Sequence, residues 1–271
     1  RSKTNTHGKI FVLEKDTTGD GKINLEDLEW DYLEGDGDFR SEEVKKLRDE
    51  ADIIVTNPPF SLFREFLAWI VEADKQFIIL GNINCITYKE VFPLFKYNKM
   101  WLGVTNFKRG MFFRVPDDFE YAPTYKFDKE INGIKVNRVS GICWYTNIEH
   151  GRRHHPLNLL TKEDNIKYSK HKEINGIGYM PYDNYNAIEV NYFDAIPSDY
   201  DGIMGVSITF LDKYCPEQFD IIWQACGNTR ASAPKGILKE IGYSVHPEDR
   251  GGCGVVNNKR QYARILIRKK Q

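Results

Sequence analysis

The chain has 271 residues, 28% of them charged, and a formal net charge of -1. That balance excludes a globally basic nucleic-acid coat but leaves room for a local basic groove, and the length suits one large domain or a catalytic domain with a smaller companion. No apolar stretch approaches the ~20 residues of a membrane-spanning helix, which argues against a membrane role. The five cysteines, Cys85, Cys143, Cys215, Cys226 and Cys253, are odd in number, scattered and without a CxxC pair, the usage of a reduced cytoplasmic protein with no cysteine-held metal. The start, RSKTNTHGK, has neither an initiator Met nor the apolar core of a secretory signal and reads as an internal beginning.

Residues 9–13 and 52–56 are short apolar or β-branched runs bounded by polar residues, which predicts two strands. Between them SEEVKKLRDEA predicts a helix with Ser41 as N-cap, acids in its first turn, and Val44, Leu47 and Ala51 on one face. After Asn57-Pro58-Pro59-Phe60, apolar residues recur at helical spacing through Leu62, Phe63, Phe66, Leu67, Ile70 and Val71. KQFIIL then predicts a buried strand, TYKEVFPLFK a short helix broken or begun anew at Pro93, and KMWLGV a further strand. This alternation is the rhythm of a parallel sheet covered by helices.

From about residue 105 the texture becomes aromatic and β-rich, in MFFRV, YKFDKEINGIKVNRV and GICWYTN, with a hairpin signal at Asn132-Gly133. Residues 147–181 are polar and carry GRRHHP. Beyond residue 199 strands and short helices return, so the β-rich stretch is expected to be an insertion between parts of one domain. In the amino-terminal region DTTGDGKINLED, residues 16–27, fits much of a calcium loop, although Thr18 is a neutral ligand and Asp27 is shorter than the usual glutamate. The preceding KIFVLEK reads as a strand, so a hairpin turn is the favoured reading of the same residues.

Ligands of such sheets bind beyond the carboxyl ends of strands, where residues 57–60 lie. Asn57 offers a side-chain carbonyl, Pro58 a backbone carbonyl without an amide hydrogen, Pro59 a stiff backbone, and Phe60 an aromatic face. Two acceptors beside a flat face suit a planar amino group: holding its hydrogens off the ring plane restores lone-pair density to a poor nucleophile. The alternative is a proline-terminated loop that starts the next helix.

TNPPF after an apolar strand resembles the catalytic motif of the amino-methyltransferases, which transfer a methyl group from S-adenosylmethionine to adenine N6 or, less often, to cytosine N4 or a glutamine amide. The wider set GDGDFRSEE, NPPFSLFREF, GNINCITYKEVFPLF, WLGV, FRVPDD, YDGIMGVSITFLDKY and YARILIRKK resembles the adenine-specific DNA methyltransferases of the EcoRI type from about residue 34 onward. The resemblance implies that Asn57 and the Pro58 carbonyl accept from the target amine, that Pro59 holds the loop rigid, and that Phe60 stacks on a flipped base. It also implies that Asp38, with Asp36 beside it, accepts from the adenine amino group of the donor while the Phe39 amide meets a ring nitrogen. In-line attack by the amine would need no metal and no covalent enzyme intermediate.

The implied fold is α/β, a Rossmann-like methyltransferase sheet with a β-rich recognition insertion. Residues 1–104 would form a partial catalytic domain, 105–197 the target-recognition region, and 198–271 a closing segment packing back on the catalytic domain. The glycine-bearing loop that cradles the donor's methionine portion has no match in residues 1–33, so the amino-terminal part of the sheet is expected to be missing and the fragment to bind the donor poorly or be inactive. Arg109, Arg114, Arg152, Arg153 and Arg230 are the expected contacts to double-stranded DNA, with the reading of GRRHHP as a solvated loop kept beside that one. A cognate restriction endonuclease is an expected companion without a stable complex. The competing readings are a catalytically dead DNA-binding or calcium-binding module, and an amino-methyltransferase acting on cytosine N4, RNA or protein glutamine.

Overall fold

The computed structural model describes residues 6–105 and 110–270 and divides into two units, Arg1–Ile54 with Glu65–Gln76, and Val55–Arg64 with Phe77–Gln271. In the first unit, β1 (Lys9–Val12) and β2 (Glu29–Tyr32) form an antiparallel hairpin in which Lys9 opposes Tyr32. β1 agrees with the expected strand; β2, sequence EWDY, alternates charges with aromatic rings and gave no apolar signal.

The loop between them is closed by its own carboxylates. Asp27, 2% exposed, accepts from the amides of Thr17, Thr18 and Asn24 at 2.8–2.9 Å. Asp16 accepts from the Gly19 and Gly21 amides at 2.5 and 2.7 Å. Led by the Asn24 amide, these bonds hold the Asp27 carboxyl far below its usual range. Its two oxygens thus serve the backbone of a β-hairpin connection. Among the described residues no group of three or more His, Cys, Asp or Glu side chains is placed to hold a metal.

α1 (Glu42–Glu50) begins where Ser41 Oγ accepts from the Val44 amide at 3.3 Å, the expected cap. Its Val44 and Leu47 are only half-buried, and Arg48 donates to the Trp69 carbonyl at 2.9 Å while lying 4.9 Å from that indole. β3 (Ile53–Thr56) and α2 (Phe63–Glu72) follow. Phe63, Leu67 and Ile70 are buried, whereas Val71 is exposed, so the buried stripe of α2 is narrower than the apolar spacing predicted.

The second unit contains β4 (Gln76–Asn82), α3 (Phe92–Lys96), β5 (Trp101–Leu102), β6 (Met111–Arg114), β7 (Glu130–Ile131), β8 (Ile134–Val139) and β9 (Ile142–Thr146). The main sheet has the order β3-β4-β9-β5. This corrects the expectation of a purely parallel sheet: β9 is antiparallel to both neighbours, Leu80 opposing Trp144 and Leu102 opposing Tyr145. β9 fits between them because Ile142, Cys143, Tyr145 and Thr146 are all buried, so the strand is apolar on both faces as an interior position demands. β6, β8 and β7 make a separate antiparallel sheet, closed at Asn132-Gly133 as the sequence signal indicated.

Beyond α4 (Lys162–Tyr168) come β10 (Ala187–Val190), β11 (Ile203–Ser207), β12 (Phe219–Ala225), α5 (Thr229–Ser232), α6 (Lys235–Glu240), the pair β13 (Val255–Val256) and β14 (Lys259–Arg260), and β15 (Arg264–Lys269). They build a second sheet, β10-β11-β15-β12, in which β15 is antiparallel to β11 and β12. Helix α3 joins the two sheets. Phe95 meets Tyr145 of the first at 6.1 Å, Phe92 meets Trp223 of the second at 5.6 Å, and Lys96 donates to the Ile221 carbonyl at 3.1 Å. The result is a mixed α/β architecture. No helix among the described residues is long and apolar enough to cross a membrane.

Candidate active site

Residues 57–60 follow β3 directly. Pro58 is buried, Asn57 and Phe60 are exposed, and a short 3-10 turn, Phe60–Leu62, begins with the Leu62 amide donating to the Pro59 carbonyl at 2.9 Å. Neither the Asn57 side chain nor the Pro58 carbonyl has a hydrogen-bond partner among the described residues, so two acceptors are unpaired in the loop that also carries the exposed Phe60 ring.

What holds this loop is Phe63, three residues on. Its fully buried ring lies 5.1 Å from that of Tyr145, over the backbone of Gly81 in β4. A Cβ at position 81 would collide with the Phe63 ring and come within 2.9 Å of Tyr145, so the strand approaches both rings closely only as glycine. Tyr145 in turn donates its hydroxyl to the Asn82 carbonyl at 2.7 Å, and burial pushes that phenol well above its usual range. Sequence reasoning missed Gly81 and Tyr145. A lone glycine inside an apolar strand was the available signal for the first; nothing local marks the second.

Asp36, Asp38 and Phe39 lie together in the first unit. The loop before them is fixed by Glu43 of α1, whose carboxylate accepts from the Glu34 amide at 2.8 Å and the Gly35 amide at 3.1 Å. Asp36 accepts from the Asp38 amide at 3.0 Å. Asp38 receives Arg40 through Nε at 2.9 Å and Nη2 at 2.7 Å, and this bond, the largest cause, brings its carboxyl down to about 2. The Phe39 ring packs edge-on against Phe66 at 5.2 Å and Trp69 at 5.5 Å, while its amide has no partner among the described residues. An adenine could therefore meet a free N–H at Phe39 and an ionised acceptor at Asp38 that it must share with Arg40.

The five arginines have different surroundings. Arg109 lies outside the described residues, and Arg114 is exposed at the end of β6. Arg152 donates to the Val104 carbonyl and, at 2.7 Å, to Asp212. Arg153 does not offer its guanidinium to solvent: only 6% exposed, it binds Glu149 at 2.8 Å, donates to Asn98, and lies 3.7 Å from the Trp101 ring. Beside it His154 is held between Glu149 and Glu217 at 2.8 and 2.7 Å, so much of GRRHHP is tied into internal contacts. Arg230 remains partly exposed and is bonded to Tyr243 and Asp249.

An acceptor-bearing Asn-Pro-Pro-Phe loop at the end of a strand in a mixed α/β chain is consistent with the amino-methyltransferase class. The chain belongs to the family described as adenine-specific methyltransferase EcoRI, whose model matches residues 1–270. It is 44% identical over 214 residues to the Type II methyltransferase M.EcoRI of Escherichia coli, which covers 78% of this chain and 62% of that one. Identity to M.MgeORF184P of Mycoplasma genitalium is 37% over 241 residues, covering 88% of this chain and 71% of the relative. Identity to M.MpnI of Mycoplasma pneumoniae is 36% over 247 residues, with 88% and 70% covered. The chain thus spans 62–71% of the length of these relatives. No solved structure gives a significant match.

Proposed function

We propose that the protein transfers a methyl group from S-adenosylmethionine to N6 of an adenine within a specific sequence of double-stranded DNA, as the cytoplasmic modification enzyme of a restriction-modification system. The observation that carries this reading is one loop with two acceptors unpaired among the described residues, Asn57 Oδ1 and the Pro58 carbonyl, and an exposed aromatic ring, Phe60, in a chain of an adenine-specific family. The relatives' naming as Type II methyltransferases supports the restriction-modification assignment.

The target adenine must leave the duplex to reach such a loop. Phe60 then stacks on the base, while Asn57 and Pro58 accept the two amino hydrogens and draw them off the ring plane, which localises the nitrogen lone pair toward the incoming methyl. Pro59 fixes the direction of the acceptors. When bound, S-adenosylmethionine would supply the methyl as an electrophile, its S–C bond breaking to leave S-adenosylhomocysteine as the N–C bond forms, with the surplus amine proton passing to water. The Phe39 amide would donate to a ring nitrogen of its adenine and Asp38 would accept from that ring's amino group, with Asp36 bracing the loop through the Asp38 amide. In this reading residues 1–104 carry the chemistry, 105–197 the target recognition and 198–271 close the fold, with Arg109, Arg114, Arg152 and Arg230 as DNA contacts. A cognate endonuclease would act on the same sequence without a lasting complex.

Tritiated-methyl transfer to duplex DNA by the full-length protein and its Asn57→Ala variant tests this. Transfer to adenine by the parent with loss in the variant is expected; no transfer by the parent, or full transfer by the variant, overturns it.

A further inference from the structure

Arg230 is held by two side chains on one edge of its guanidinium. Its Nε donates to the Tyr243 hydroxyl at 2.9 Å and its Nη2 to Asp249 Oδ1 at 2.6 Å. Asp249 is fully buried and also accepts from the Tyr243 hydroxyl at 2.6 Å and from the amides of His246 and Gly251 at 3.1 and 3.0 Å. Burial opposes ionisation of this carboxyl, but those bonds and the guanidinium charge outweigh it and keep the pKa below its usual value.

The backbone under the arginine is fixed as well. The Arg230 amide donates to the Gly251 carbonyl at 2.9 Å, and the Tyr185 hydroxyl donates to the Gly252 carbonyl. Gly251, at φ 100°, lies so close to Gly227 that a Cβ there would strike the Gly227 carbonyl. The same loop is tied to the sheet that follows the Asn-Pro-Pro-Phe motif. Asn228 Nδ2 and the buried Gln224 Nε2 both donate to the Thr87 carbonyl, at 2.8 and 3.3 Å, in the turn after β4.

One guanidinium edge is therefore spent on positioning. The other, Nη1 with the second hydrogen of Nη2, has no partner among the described residues, on a side chain 45% exposed. A cation already paired with a buried carboxylate is a weak phosphate partner, because little net charge remains to attract the backbone. A planar fork held in one orientation suits a partner recognised by geometry, such as the two adjacent acceptors of a base edge in the major groove.

We infer that Arg230 is a specificity-determining residue that reads a base edge of the DNA target through its end-on fork, with Asp249 and Tyr243 as positioning residues and the Asn228–Thr87 link setting its place relative to the methyl-transfer loop. The inference rests on the DNA reading given above. It names a nucleobase with two neighbouring acceptors, the pattern guanine presents, as the group contacted.

The test uses a pool of duplexes randomised over a short window and the full-length protein as parent, Arg230→Lys, Arg230→Ala and Tyr243→Phe. Bound sequences are selected and read, methylated sequences are read in parallel, and binding to the selected duplex is followed against salt. The expected result is a loss of preference at one base pair of the bound consensus in Arg230→Lys and Arg230→Ala, by about tenfold to a hundredfold. A smaller loss at that same position is expected in Tyr243→Phe, with the salt dependence unchanged. An unaltered consensus in the two arginine variants overturns the inference. So does weakening that is uniform over all sequences with a salt slope lower by about one, the signature of a phosphate contact. A parent that selects no consensus overturns it too, whereas a parent that selects a consensus but methylates nothing overturns only the methyl-transfer reading.

Discussion

The loop at residues 57–60 and the paired loops that carry Arg230 and Asp249 are built on opposite plans. In the first, the Asn57 side chain and the Pro58 carbonyl are left without partners among the described residues, and rigidity comes from two prolines and from the Phe63 ring seated on Gly81 and Tyr145. In the second, Asp249 accepts four hydrogen bonds and Asn228 takes part in a network with Thr87, Gln224, Cys226 and Ser232. The difference teaches where each kind of stiffness is affordable. A group proposed to receive an incoming amine has to keep its acceptors unpaired, so its position is set by apolar packing. A group proposed to read a base can have one edge fixed by hydrogen bonds, provided the other stays free.

This contrast can be broken at several points. The largest effect is expected from Asn57→Ala, which removes an open acceptor: methyl transfer should fall by about 10²–10³-fold, the cost of deleting one preorganised hydrogen-bonding group. Because the side chain is exposed and unbonded, the thermal midpoint should barely move, and a large drop in melting temperature would show that the residue is structural. Next is Gly81→Ala, where the added methyl must push Phe63 or Tyr145 aside at a cost of about 1–3 kcal/mol in a packed interior. Urea unfolding should show that loss together with reduced transfer. Unchanged stability would mean that Phe63 does not anchor the loop. Tyr145→Phe leaves the ring packing intact but strands the Asn82 carbonyl, and should cost about 1 kcal/mol in the same measurement.

The smallest effect concerns pH. His154 has its pKa raised, first by its hydrogen bond with Glu149 and then by that with Glu217. A raised folded value means that its contribution is complete below the unfolded value, about 6.5, and is lost as pH rises through the folded value. The slight fall in melting temperature over that window should vanish in His154→Gln. A ring that titrates at or below about 6.5 by NMR would remove the basis for it.

Local pattern made much of the fold legible. Ser41 capping α1, the strands at KIFV and QFIIL, and the Asn132-Gly133 turn depend on neighbours in sequence, and they appear where propensity and periodicity put them. β9 was foreseen as a strand but not as the partner of β4, because pairing across more than fifty residues leaves no periodic trace. β10 was missed for a related reason: AIEV is too short to stand out, and becomes a strand by pairing with β11.

The Asn-Pro-Pro-Phe loop is readable as a candidate because the chemistry proposed for it lies in four consecutive residues, each useful for a property it carries alone: a side-chain carbonyl, an amide-free backbone, a stiff ring and a flat face. The sequence by itself therefore determined the mixed α/β character, the family and the candidate loop. Only the tertiary structure decided that Arg153 is an interior residue, that Asp27 serves its own backbone, and that Asp249 from nineteen residues away orients Arg230. Burial and hydrogen-bond partnership are properties of what the folded chain brings together. A charged side chain reads the same in a sequence whether it meets solvent or a buried counter-charge.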